Sequence, residues 1–227
     1  MIISTDPARP GPCVQALFPE PALAAGGDPA ALAGPLLPEE TAFISGAGRK
    51  RRMEFTAGRL LARGLLDAFG RGGLPLLNGE DRAPRWPPGL VGSISHTRGY
   101  CAAVVAPAAV IWGLGLDVEP ASPLKPGLQE RICTRAERSW LLGRPADERG
   151  RLAKLLFSAK ESVYKCQYPL SHRFLSFQDV QLEVDLERET FAAFIPGLIE
   201  HDRIPDGMVA GRFAFQAGWV LTSSFLK

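Results

Sequence analysis

Long apolar runs are missing from this 227-residue sequence: no stretch reaches the ~18 consecutive apolar residues that a membrane-spanning helix needs, so no membrane partner is expected. An excess of one charge is missing too. The 26 Lys and Arg against 24 Asp and Glu leave a net charge of +2, which argues against a general polyanion binder and so against a nucleic-acid partner. Cysteine is scarce and scattered. Cys13, Cys101, Cys133 and Cys166 form no CxxC pair and have no histidine-rich neighbour, so neither a zinc site nor a disulfide framework is indicated. The opening MIISTDPARPGP has no basic start followed by an apolar stretch, so no secretion signal is expected, and the reading is a cytoplasmic protein with reduced thiols. What is present is 46% hydrophobic residues, enough for a real core, in a length that allows one large domain or two small ones.

Residues 1–40 are rich in Ala, Pro and Gly and read as an irregular wrap with at most a short helix or strand. The spacing predicts a helix over 51–69, with Met53, Ala57, Leu60, Leu61, Gly64 and Ala68 on its apolar stripe and GRGG at 70–73 stopping it. Arg52, Arg59 and Arg63 line up on the other side. GSISH and YCAAVVA read as two short strands, and 110–119 as a third. In that third strand Trp112, Leu114, Leu116 and Val118 face one way. Ile111, Gly113, Gly115, Asp117 and Glu119 face the other, on a side that the glycines keep open. Thr134 and Glu137 match a capping box for a helix through Leu142. A long helix is expected over 147–167, stopped near Pro169, with Leu152, Leu156, Ala159 and Val163 buried. The remainder, 177–226, reads as a small antiparallel sheet with turns at IPG, IPDG and QAG.

Four features carry candidate chemistry, and each has an ordinary structural alternative. The D-x-E pair Asp117 and Glu119 is either solvated at a strand end or holds a hard cation such as Mg²⁺, which takes carboxylate and phosphate oxygens. In FSAKESVYK, Glu161 and Lys165 are either a surface pair four residues apart or, with Lys160, parts of a metal and phosphate site. Ser95 and His96 end GSISH at a strand-to-turn junction, where the histidine is structural or meets an anion. The arginine stripe is a solvated helix face or a phosphate reader.

Taken in order, a basic helix, GSISH, GLDVE and then KESVYK resemble the 4′-phosphopantetheinyl transferases, in particular the broad-specificity group typified by the enterobactin and surfactin enzymes. The resemblance runs from residue 36 to the C-terminus through LLPEE, KRRMEFTAGRLLAR, the APRWP loop, VGSISHTRGY, GLDVEP and LLFSAKESVYK. Phe157 stands where many members carry Trp.

That resemblance implies an α+β fold of two similar halves related by a pseudo-twofold axis, 1–108 on the coenzyme A nucleotide side and 109–227 with the metal-binding carboxylates, the seam falling near 106–111. The implied reaction moves 4′-phosphopantetheine from coenzyme A to a serine of an apo acyl or peptidyl carrier protein and releases adenosine 3′,5′-bisphosphate. Asp117, Glu119 and Glu161 would hold Mg²⁺, or Mn²⁺, with Glu161 or a metal-bound water taking the serine proton. Lys165 and Lys160 would lie against the phosphates. Arg52, Arg59, Ser95 and His96 would bind coenzyme A, with Lys50, Arg63 and Arg82 in support. A monomer is expected, since the pseudodimer is complete in one chain. Two rival readings are another Mg²⁺-dependent phosphodiester hydrolase and a non-catalytic coenzyme A-binding module.

Overall fold

Two long helices, each laid on an antiparallel sheet, organise the chain. The computed structural model describes residues 13–227, and the opening MIISTDPARPGP lies outside the described residues. The first half contains β1 (Leu23–Gly27), α1 (Pro38–Ile44), α2 (Arg49–Asp67), β2 (Leu90–Thr97) and β3 (Tyr100–Pro107). Its three strands run antiparallel in the order β1-β3-β2. The second half contains β4 (Gly113–Pro120), α3 (Pro126–Ile132), α4 (Arg135–Leu142), α5 (Arg149–Ser171), β5 (Gln181–Asp185), β6 (Thr190–Phe194), β7 (Met208–Gln216) and β8 (Trp219–Leu226). The sheet expected over 177–226 is there, and β4 joins its edge, giving the order β4-β8-β7-β6-β5. The fold is α+β in two similar halves. Among the described residues no helix is long and apolar enough to cross a membrane, and all four cysteines are unpaired.

Alternation on β3 explains the layering. Cys101 and Ala103 face α2, where they meet Ala57, Leu61 and Ala62. Ala102, Val104 and Ala106 face the other way and pack on Leu114, Leu116, Val118 and Leu221 of the second sheet. On the far side of that sheet, Leu155, Leu156, Ala159 and Val163 of α5 meet Phe191, Phe213 and Val220. Burying such faces is the main stabilising term of the fold.

Three sequence expectations are corrected here. Ala57 and Leu61 are buried on α2 as expected, but alongside Phe55, Gly58, Arg59, Ala62 and Leu66, while Met53 is 43% exposed and Gly64 and Ala68 face solvent. The helix is rotated because Gly58 lets it settle onto Ile94, whose Cγ2 lies 3.0 Å from where a Cβ would stand. Pro169 does not stop α5. The helix runs to Ser171 and ends at His172, which takes a left-handed conformation (φ 51°) while its N–H donates to the Tyr168 carbonyl at 2.9 Å. Third, the glycines of β4 do not keep a face open. A Cβ on Gly115 would stand 1.8 Å from the Ser162 carbonyl oxygen, so these glycines admit the backbone of α5.

One buried device occurs in both halves. Glu40 of α1 accepts from the Leu37 N–H at 3.0 Å and the Leu76 N–H at 3.0 Å, and pairs with Arg63 of α2. Glu137 of α4 accepts from the Thr134 N–H at 2.7 Å and the Leu182 N–H at 2.8 Å, and pairs with Lys160 of α5 at 2.8 Å. Each carboxylate therefore caps a short helix, fastens a later segment and neutralises a base 23 residues on. Satisfying every oxygen is what makes a buried charge tolerable.

Candidate active site

Asp117 is the point where the halves meet. Its backbone runs along the edge of β4, beside β2 of the first half. There Ser93 Oγ accepts from the Leu116 N–H at 3.1 Å and Ser95 Oγ from the Val118 N–H at 3.3 Å. The Asp117 side chain, between those two N–H groups, turns under α5. Oδ1 accepts from Lys165 Nζ at 2.7 Å and Ser95 Oγ at 3.0 Å, and Oδ2 from Ser158 Oγ at 2.8 Å. Ser158, Glu161 and Lys165 share one face of α5 at spacings of three and four, which is how one helix delivers all three.

Glu119 lies two residues along the same strand face and accepts from Lys154 Nζ at 3.0 Å. Glu161 is half-buried, and its carboxyl is held above the ordinary range, first by burial and then by the Asp117 charge, with Lys165 opposing and Glu119 adding to the rise. Three carboxylates thus share one region, balanced by the ammonium groups of Lys154 and Lys165. Among the described residues no three His, Cys, Asp or Glu side chains are grouped so that they could hold a metal ion as they stand. The donor set is nonetheless all hard oxygen, and the mutual repulsion felt at Glu161 is the kind a divalent cation relieves. Two cavities flank Glu161. One of about 300 Å³ is lined by Arg82, Trp86 and Ser93 from the first half and Lys165 and Tyr168 from the second. The other, about 800 Å³, is lined by Glu119, Phe157, Tyr164 and Phe177.

A sequence model of the 4′-phosphopantetheinyl transferase N-terminal domain matches residues 39–106, and one of the 4′-phosphopantetheinyl transferase superfamily matches residues 113–203. The chain belongs to the 4′-phosphopantetheinyl transferase family. It is 42% identical over 199 residues to the 4′-phosphopantetheinyl transferase Svp of Streptomyces mobaraensis, covering 86% of this chain and 79% of that one. It is 33% identical over 195 residues to the 4′-phosphopantetheinyl transferase Npt of Nocardia iowensis, covering 82% and 87%. A crystal structure of a holo-ACP-synthase from Plasmodium yoelii aligns with 51% of this chain and 94% of its own at 15% identity and a TM-score of 0.40.

In this transferase the residues named from sequence fall into two sets. Asp117, Glu119, Glu161 and Lys165 come together as described. His96 stands on β2 beside α2, with Arg51 Nη1 3.3 Å from its Nε2 and Glu54 Oε2 3.7 Å from its Nδ1. Burial lowers the His96 pKa; Glu54 opposes this, while Arg51, Lys165 and Lys50 add to it. Lys50 is exposed and lies 3.7 Å from Glu54. Arg52 is exposed on α2, and Arg82 is exposed in the loop before Trp86 with a positive φ of 66°.

Other residues in the sequence reading are committed elsewhere. Lys160 does not face a phosphate. It is 2% exposed, pairs with Glu137 and donates to the carbonyls of Ile132 at 2.9 Å and Phe177 at 2.7 Å. Arg59 is buried rather than on a solvent face. Its Nε donates to the Leu76 carbonyl at 2.6 Å, its guanidinium lies 4.0 Å from the Phe55 ring centroid, and burial brings its pKa down to about 10. Arg63 is taken by Glu40 and the Pro35 carbonyl. The Ser95 hydroxyl is buried and bonded on every side, to Asp117, Val118 and Lys165. Sequence reading missed Arg51, Glu54, Lys154 and Ser158. Ser158 and Glu54 had a usable signal, since they fall three residues from Glu161 and four from Lys50 on their helices.

Proposed function

We propose that this chain transfers the 4′-phosphopantetheine group of coenzyme A to a serine hydroxyl of an apo acyl or peptidyl carrier protein and releases adenosine 3′,5′-bisphosphate. The observation that carries this reading is the cluster of Asp117, Glu119, Glu161 and Lys165, all from the second half of a family member and set where Ser93 and Ser95 of the first half meet it. Asp117, Glu119 and Glu161 are the residues that would hold Mg²⁺ or Mn²⁺. When bound, the cation supplies charge neutralisation on the pyrophosphate oxygens. Lys165 adds positive charge at the transferring phosphoryl group, a role supported by its place on the cavity wall. Glu161 receives the serine proton, and a carboxyl held above its ordinary range is the better base. His96, with Arg51 and Lys50 around it, binds the 3′-phosphate, and Arg52 on the same helix assists. Arg82 and the loop that follows it cover the nucleotide.

On this reading 1–108 is the nucleotide side, 109–227 carries the carboxylates, and the enzyme works in the cytoplasm as a monomer. The carrier belongs to polyketide, nonribosomal peptide or siderophore synthesis; for the last of these, two similar proteins, from Escherichia coli and Salmonella typhimurium, are called enterobactin synthase component D. The test is incubation with coenzyme A, Mg²⁺ and several apo carriers, with intact mass measured on each. A phosphopantetheine increment on a carrier serine is expected. Release of the bisphosphate without a carrier would identify a hydrolase instead.

A further inference from the structure

The two oxygens of Asp117 are gripped separately, and neither grip comes from its own strand. At Oδ1 the Ser95 hydroxyl donates from β2 at 3.0 Å. The same hydroxyl accepts from the Val118 N–H at 3.3 Å and from Lys165 Nζ at 3.2 Å. A serine hydroxyl has one donor and two acceptor sites, so Ser95 is fully used inside the protein. It is also 5% exposed. At Oδ2 the donor is Ser158 of α5, at 2.8 Å, which is 0% exposed. Ser158 in turn is fixed by Thr222 of β8. With the Ser158 proton on Asp117, the single Thr222 hydroxyl proton is shared between Ser158 Oγ and the Ser158 carbonyl, each 2.9 Å from Thr222 Oγ1. Thr222 lies directly opposite Asp117 in the β4–β8 ladder, so the clamp closes on the strand that carries the carboxylate.

We propose that Ser95 and Ser158 are positioning residues for Asp117, one for each carboxylate oxygen, and that the Ser95 hydroxyl does not read the 3′-phosphate of coenzyme A. Two hydrogen bonds from different elements set the position and the twist of the carboxylate plane. A single bond would leave that plane free to rotate. Because Ser95 belongs to the first half and Ser158 to the second, the aim of Asp117 also depends on how the halves meet. Small losses of aim at a reacting centre are expensive in rate and cheap in substrate binding.

This inference rests on the transferase reading, and the two can fail separately. No transfer by the wild-type chain to any carrier counts against that reading, whereas equilibrium affinities of the variants bear on Ser95 alone. The experiment compares wild type, Ser95→Ala, Ser95→Thr and Ser158→Ala. It measures kcat at saturating coenzyme A and Mg²⁺, and Kd for coenzyme A and for dephospho-coenzyme A. Both alanine variants should lose about tenfold or more in kcat. Ser95→Thr, which keeps the hydroxyl, should recover most of that loss. The ratio of the two affinities should stay within about twofold of wild type throughout. Either alanine variant turning over at close to the wild-type rate overturns the proposal. So does a Ser95→Ala variant that no longer prefers coenzyme A over its dephospho form, because that preference would then lie in the hydroxyl. Should Ser95→Ala not fold, the kcat of Ser158→Ala and the affinity ratio of Ser95→Cys, which keeps the size but loses the hydroxyl, decide the matter by the same criteria.

Discussion

Helices α2 and α5 each receive a buried carboxylate from the short helix before them, at the same 23-residue separation, yet one packs a core and the other carries the chemistry. Two residues before the basic partner, α2 has Leu61 and α5 has Ser158. One residue after it they have Gly64 and Glu161, and five after it the positions are Ala68 and Lys165. Leu61 joins an apolar cluster with Cys101 and Ala103, whereas Ser158 bonds Asp117. Gly64 and Ala68 face solvent, whereas Glu161 and Lys165 are partly covered where the first half leans against α5. One frame thus serves as scaffold or as site according to three side chains and what lies over them.

The largest effect expected within this comparison is on stability. Lys160→Ala leaves Glu137 buried and uncompensated, and should cost about 3–5 kcal/mol. Arg63→Ala should cost less, because the Arg63 side chain keeps 20% exposure and water can replace part of it, whereas Lys160 keeps 1%. Urea unfolding of both variants measures this. Equal losses would mean that the two devices are energetically the same.

Next in size is the chemical step. Asp117→Ala should lower phosphopantetheine transfer by roughly 10²-fold or more at saturating Mg²⁺, from lost electrostatic stabilisation. Gly64→Ala, at the position of α2 that matches Glu161, should leave transfer near wild type, since Gly64 is exposed and stands within a helix. Near-normal turnover by the Asp117 variant would break the division of labour between the halves.

Glu161 sharpens the contrast through pH. Its folded-state pKa lies above the ordinary 4.5, so in the window between the two values the folded chain binds more protons than the unfolded one. Stability therefore falls as pH rises through that window, and the cost persists at neutral pH. Glu161→Gln should raise Tm in metal-free buffer near pH 7, with the gain fading as pH drops below the ordinary carboxylate range, while kcat collapses. A lower Tm at pH 7 would show that Lys165 more than compensates the buried charge.

The smallest effect concerns His96. Burial holds its pKa below the ordinary 6.5, so at neutral pH the free protein carries a neutral ring, and a bound phosphate favours the protonated one. Coenzyme A affinity should then rise a few fold as pH falls from about 7.5 to about 6. His96→Asn should flatten that slope relative to wild type in calorimetric titrations. Parallel slopes would place the linked proton on the ligand.

Much of this was readable in advance, because it is local. Helical and strand periodicity located α2, α5, β2, β3 and β4, and the Thr134–Glu137 pattern located the start of α4, since caps and amphipathic stripes depend on residues within a turn or two. The motifs carrying Asp117, Glu119, Glu161 and Lys165 were equally plain. Spacing alone put Glu161 and Lys165 on one helical face and Asp117 and Glu119 on one strand face.

What tertiary structure alone decided is which polar side chains are free to act. Lys160 and Lys165 look alike in FSAKESVYK, but Glu137 arrives from another helix and takes Lys160 into the core, where its side chain keeps 1% exposure, whereas Lys165, held by Asp117, Ser95 and the Leu116 carbonyl, keeps 29% at the cavity wall. Arg59 and Arg51 look alike in the basic helix, but Leu76 and Asn78 take the first, while the second is left beside His96. Gly115 and Ser95 were read as making room for a ligand and touching it. The one admits α5, and the other is consumed by Asp117, Val118 and Lys165. A charge or a hydroxyl has a small, fixed number of bonding sites, and in a folded chain they are filled by whichever partner packing brings near, often from far along the sequence. Periodicity therefore determines where a side chain points, and packing determines whether it has anything left to offer.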